Sequence, residues 1–96
     1  MKKSNELTIK QAIDELLSHY QLNDNLYETR LTNAWEKMMG KVIAKHTLDI
    51  QLKKSILFIR LDSAVLREEL SYAKQKIISI LNRELKKDVI RDVVLQ

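Results

Sequence analysis

The chain has 96 residues, 45% apolar and 31% charged, with 17 basic against 13 acidic side chains and a net charge of +4. A chain of this length buries roughly 60–65% of the surface its unfolded form exposes, enough for one core and a single domain over residues 1–96. It has no cysteine, no proline and one glycine; this excludes disulfides and thiolate chemistry, and Gly40 alone builds neither a Walker-type phosphate loop nor a dinucleotide fingerprint.

Residues 1–6 are polar and expected to fray. Met1-Lys2-Lys3 is charged, but no apolar signal region follows it. Apolar runs elsewhere fall far short of the ~18 residues that span a membrane. A cytoplasmic protein is the expectation. Thr8 with Gln11 three places on has the spacing of a capping box. Ile9, Ala12, Ile13, Leu16, Leu17 and Tyr20 then fall on one helical face, which predicts a first helix near 9–20. Asn23 or Asp24 can cap a second helix near 24–44. Its apolar repeat is Tyr27, Leu31, Ala34, Trp35, Met38 and Val42. Gly40 lies inside that pattern and signals close packing, a bend or an early end.

The period then drops from 3.6 to 2. Leu48, Ile50 and Leu52 alternate with Asp49, Gln51 and Lys53, and Leu57, Ile59 and Leu61 alternate after a short polar break. This predicts strands near 47–53 and 56–62 joined as a hairpin, without the glycine such a turn favours. Asp62-Ser63 can cap a helix near 63–86, either continuous or broken near Ser71-Tyr72. Lys86 and Lys87 suit its C-terminal dipole. Val89 to Leu95 is β-branched and apolar, so a last strand is expected near 89–95. The order α-α-β-β-α-β makes an α+β domain of two layers, with helices on one face of a small three-stranded sheet.

Nothing in the sequence argues for catalysis, a metal or a cofactor. His19 and His46 have no ligand-spaced partners. Glu68 and Glu69 point about 100° apart on a helix and do not share a site. The charge pattern says more. Arg30, Lys37 and Lys41 share a helical stripe, which Lys45 continues if the helix extends that far, and Lys53 and Lys54 sit at the hairpin tip. Cations along one edge can grip a phosphate backbone; the same residues also read as ordinary solvated lysines. Tyr72, Lys76 and Arg83 form a weaker stripe that Glu69 and Glu84 partly neutralise. With one Phe, one Trp and three Tyr, base stacking is poorly supported. Trp35 reads as a core residue whose indole N–H needs a partner.

The segment W-E-K-M-M-G-K-V-I-A-K-H-T, followed by L-D-I-Q-L, I-L-F-I-R-L-D-S-A and L-R-E-E-L, resembles the DciA family of bacterial proteins. The residues that carry the resemblance are Trp35, Gly40, Ala44, His46, Thr47, Asp62, Ser63, Glu69, Leu70, Leu81 and Asn82, in family order and spacing over nearly the whole chain. The resemblance implies a non-enzymatic protein of DNA replication that binds the replicative helicase DnaB and assists its loading. It also implies weak binding of single-stranded or forked DNA and a fold similar to a K-homology (KH) domain. The chain departs from the pattern in lacking the Gly-x-x-Gly backbone clamp of nucleic-acid-binding KH domains, the long basic extension of many family members, and a glycine at the hairpin turn. DNA contact is therefore expected from the folded surface, through Arg30, Lys37, Lys41, Lys45, Lys53 and Lys54. A KH-like RNA-binding protein and a protein-interaction module independent of nucleic acid remain as alternatives, and self-association stays open.

If Leu57, Ile59 and Leu61 face the helices, then Ile56, Phe58 and Arg60 face outward beside Asp49, Gln51 and Lys53. Ile56 and Phe58 then form an apolar spot in a polar surround, suited to a protein contact unless the first helix or a terminus covers it. Ile56, Phe58 and Arg60 are the expected partner-binding residues.

Overall fold

A computed structural model describes residues 2–96, with side chains described from Thr8 onward except at positions 14 and 17–22. The elements are α1 (Lys2–Met39), α2 (Lys41–His46), β1 (Thr47–Lys53), β2 (Ile56–Leu61), α3 (Ala64–Ser71), α4 (Lys74–Leu85) and β3 (Asp92–Leu95). The domain is α+β, as expected, but its helices divide differently.

The two helices expected near 9–20 and 24–44 are one helix of 38 residues, and Lys2 to Glu6 lie inside it rather than before it. No glycine or proline interrupts the chain before Gly40. Each added residue therefore gains one more backbone bond, and keeping Asn23 and Asp24 in a helix interior costs only roughly half a kcal/mol each. The cap signal at Asn23-Asp24 is real in composition and is outweighed. Gly40 does end the helix. Its φ of 90° and ψ of 163° lie outside helical space, and α2 restarts with Ala44 N donating to Gly40 O at 3.0 Å.

The sheet has the order β1-β2-β3. β1 and β2 are antiparallel, and β3 joins β2 in parallel through the α3–α4 crossover. Ile50, Leu52, Leu57, Ile59, Leu61 and Val93 are buried on the inner face, so the faces of the hairpin strands are those expected. Leu48 is the exception. The register slips between Thr47 and Asp49, Leu48 becomes the extra residue of a bulge, and it is exposed.

Leu31 and Trp35 from α1, Leu70 from α3 and Ile77, Leu81 and Leu85 from α4 pack on that inner face. The expected helix over 63–86 takes its broken form. Ser63 caps α3, its hydroxyl accepting from Leu66 N at 3.2 Å. The helix closes in a tight turn, Ala73 N donating to Leu70 O. The last strand is shorter than expected because the Asn82 side chain takes the backbone of its first residues. Asn82 Oδ1 accepts from Val89 N and Ile90 N, and Nδ2 donates to Ile90 O. The domain measures 60 × 23 × 21 Å. A helix of α1's length spans about 57 Å, so α1 sets the long dimension, and the side chains it gives to the core begin at Tyr27 among the described residues.

Candidate nucleic-acid and partner surfaces

Several of the residues that carry the family resemblance hold the fold together. Trp35 Nε1 donates to Thr47 Oγ1 at 3.0 Å, and that hydroxyl donates on to Ile43 O at 2.7 Å. One threonine thereby ties α1, α2 and β1. His46 Nδ1 lies 2.7 Å from Asp62 Oδ1, while Asp62 N donates to His46 O, so the start of β1 and the end of β2 are joined twice. Ser63 and Asn82 cap and clamp as described above. Among the described residues no group of His, Asp and Glu could hold a metal ion.

The cations divide. Because α1 stops at Met39, Lys41 and Lys45 leave its wheel and sit on α2, at the end of the domain that carries His46 and Asp62. The stripe from Arg30 to Lys45 is therefore not continuous, and Gly40 is the reason. Arg30 Nη2 donates to Glu84 O at 2.8 Å, which docks α1 on the C-terminus of α4. Lys53 and Lys54 lie at the opposite end of β1 from α2 and its Lys45, about 20 Å along the strand.

At that hairpin end the structure gathers cations that the sequence did not connect. Arg91 N donates to Ser55 O at 2.8 Å, placing Arg91 beside the turn. The Asn82 clamp brings the loop from Lys86 to Ile90 to the same end. Arg83, Lys86 and Lys87 line a groove of about 720 Å³ with Ser79, Asn82 and the acidic Asp88, and Lys53 and Lys54 line a second one with Asp24 and Glu28. Read in sequence, Lys86 and Lys87 look like helix-dipole partners and Arg91 like a strand residue. Only the parallel β2–β3 register puts Arg91 beside the turn that carries Lys54. Two of these lysines occupy backbone positions that favour glycine or asparagine. Lys54 and Ser55 have φ of 51° and 68°, and Lys86 has φ of 57°. Left-handed backbone costs a residue with a Cβ roughly 1–2 kcal/mol.

The family model described as "Dna[CI] antecedent, DciA" matches residues 8–95. The chain belongs to the DciA family. DciA proteins are a helicase-loader family associated with the replicative helicase DnaB, and the chain's role accordingly lies in DNA replication, related to DnaB loading. No curated protein and no solved structure matches the chain.

The outer face of this DciA domain's sheet carries one apolar row. Phe58 pairs with Gln51 on one side and Val94 on the other, and Ile56 pairs with Lys53 and Asp92. Ile56, Phe58 and Val94 are half-buried and belong to no part of the core. Arg60, Asp49, Gln51, Lys53, Asp92 and Gln96 surround them and are exposed. The first helix does not fold over this face; it continues straight into the segment that packs on the inner one. Val94 is the member of the row that sequence reasoning missed, because only the parallel pairing sets it beside Phe58. No helix among the described residues is long and apolar enough to cross a membrane.

Proposed function

We propose that this DciA-family chain is a non-enzymatic adaptor that binds DnaB directly and assists its loading, holding DNA weakly through backbone charge. Family membership over residues 8–95 carries this reading. Two features of the surface support it. The row of Ile56, Phe58 and Val94, with Arg60 at its edge, is a small apolar patch rimmed by charge and suits a protein contact. The hairpin end presents Lys53, Lys54, Arg83, Lys86, Lys87 and Arg91, six cations against Asp24, Glu28 and Asp88 in the same grooves, an excess suited to phosphate oxygens.

Lysine at two left-handed positions adds to the second argument. Residues held in sparsely populated backbone regions cluster at functional sites. Asparagine or glycine would relieve the turns at Lys54 and Lys86, and either would remove the charge. The hairpin end is therefore the main DNA contact, and Lys37, Lys41 and Lys45 at the α2 end are the secondary one. Such a protein works in the cytoplasm, where the chromosome is replicated.

The deciding experiment uses the full chain, purified DnaB and fluorescent forked DNA. The adaptor reading expects capture of DnaB by the immobilised chain, and DNA binding that weakens steeply between 50 and 200 mM salt. Failure to bind purified DnaB would overturn it. Tighter, salt-resistant binding of single-stranded RNA would instead favour the KH-like RNA-binding alternative.

A further inference from the structure

β1 is an edge of the sheet, and its neighbours fix which of its backbone groups are paired. Gln96 N donates to Ile59 O, and Leu61 N donates to Gln96 O. On β2, therefore, Ile59 and Leu61 turn their backbone groups to β3. Alternation turns those of Phe58 and Arg60 to β1, where they face Gln51 and Asp49. Ile50 and Leu52 are left facing the open edge. Leu52 N is already taken, donating to Glu28 Oε2 at 3.0 Å. Ile50 is 6% exposed and its side chain belongs to the core, yet it lines a groove of about 400 Å³ between β1 and α1. What it turns to that groove is its N–H and C=O. A bulge and a charged side chain are devices that shield an edge. Here they act at Leu48 and Leu52 and stop on either side of Ile50.

We infer that this groove takes an extended segment of a partner protein that carries lysine or arginine, added to the sheet as a fourth strand beside Ile50. A segment N–H donates to Ile50 O, and Ile50 N donates to a segment carbonyl, the backbone pairing of strand addition. Charge selects the occupant. The charged residues lining the groove are Glu28, Glu36 and Asp49, with no lysine or arginine among them. Glu36 and Asp49 are exposed, and neither forms a salt bridge among the described residues. Trp35 and Leu48 line the same groove and offer apolar surface to alternate side chains of the segment. β1 of a second copy would bring the same carboxylates against these, like charge on like charge. A phosphate backbone has the same wrong sign. The site is separate from the outer-face row and from the hairpin cations, and it rests on neither proposed contact.

Nuclear magnetic resonance of the full chain tests this, with the acetylated and amidated peptide Lys-Val-Lys-Val-Lys added to about 5 mM, enough to fill a site of millimolar Kd. The Ile50 amide signal should move, and its exchange with solvent should slow as the N–H gains a partner. Glu-Val-Glu-Val-Glu should not bind. Glu36→Lys should weaken the lysine peptide roughly five- to tenfold, with the circular dichroism of the domain unchanged, since Glu36 is exposed. N-methylation reads the edge itself. Successive N–H groups of an extended segment face opposite edges. Methylating the valine nitrogens and methylating the middle lysine nitrogen should therefore differ, one abolishing binding and the other sparing it. An Ile50 amide unmoved by the lysine peptide would overturn the site. Equal binding of the two methylated peptides would overturn the edge pairing, and a glutamate peptide that binds as tightly as the lysine one would overturn the charge selection. An Ile50 signal that moves with chain concentration alone, or with forked DNA, would give the groove to a second copy or to nucleic acid and overturn the proposal.

Discussion

The indole of Trp35 and the hydroxyl of Thr47 meet at 3.0 Å, across the junction of the long helix with the first strand. Thr47 spends its own proton on Ile43 O, so its oxygen is left as the acceptor that a buried indole N–H needs. Thr47→Val keeps the shape and removes both bonds, leaving the indole N–H unpaired. It should cost about 1–3 kcal/mol. Trp35→Ala, which also leaves a cavity under α1, should cost ~3–5 kcal/mol. Urea unfolding of the two variants gives the comparison, and a Thr47→Val domain as stable as the parent would show that the bond contributes nothing.

Gly40 is needed for its backbone angle and not for space. A Cβ there would meet nothing within 4 Å, yet φ is 90°. Gly40→Ala should therefore cost about 1–2 kcal/mol through backbone strain alone. In a domain of this size that lowers the melting temperature by roughly 4–16 °C. An unchanged melting temperature would mean that the junction relaxes into ordinary helix.

The hairpin turn separates stability from binding. Ser55→Gly should stabilise the domain by about 1 kcal/mol, because φ of 68° costs glycine nothing, and it should leave DNA affinity unchanged. Lys54→Asn should also relieve the turn but weaken DNA binding. A variant lacking the charges of Lys53, Lys54 and Lys87 should lose more affinity, and more salt dependence, than one lacking those of Lys37, Lys41 and Lys45. Each phosphate contact removed lowers the salt slope by about one. Fluorescence anisotropy across a salt series reads both quantities, and the reverse ranking would move the main contact to the α2 end.

On the outer sheet face, Phe58→Ala removes a half-buried ring that is no part of the core. The domain should stay folded, with its cross-strand pairs to Gln51 and Val94 weakened by up to about 1 kcal/mol. Affinity for DnaB should fall at least tenfold, as expected when an aromatic anchor is lost. Calorimetric titration into the helicase tests this. Native affinity in the folded variant would clear the outer face of a role in that contact.

Local chemistry alone settled most of the secondary structure, because its causes lie within a few residues of one another. The alternation of Leu57, Ile59 and Leu61 with Ile56, Phe58 and Arg60 named the buried face of β2. Ser63 announced the cap of α3, and Gly40 announced an interruption. Even the weak point at Ser71-Tyr72 was legible. The order and spacing of Trp35, Gly40, His46, Thr47, Asp62, Ser63 and Asn82 carried the family. The structure explains why those residues mark a fold, since each makes a bond or adopts an angle that joins elements.

Tertiary structure decided what depends on partners distant in the chain. Asn23-Asp24 is a sound cap in isolation, and whether a helix begins there depends on whether the preceding segment has anything to turn back onto. It continues instead as one helix, and the stripe of Ile9, Ile13 and Leu16 is left outward. The bulge at Leu48 arises from pairing with β2, where Thr47 faces Leu61 and Asp49 faces Arg60. The cations divided for the same reason. A helical wheel assumes a continuous axis, and Gly40 breaks it between Lys37 and Lys41. Arg91 reaches the turn at Lys54-Ser55 only because β3 runs parallel to β2, and strand direction follows from the α3–α4 crossover, not from any property of residues 92–95.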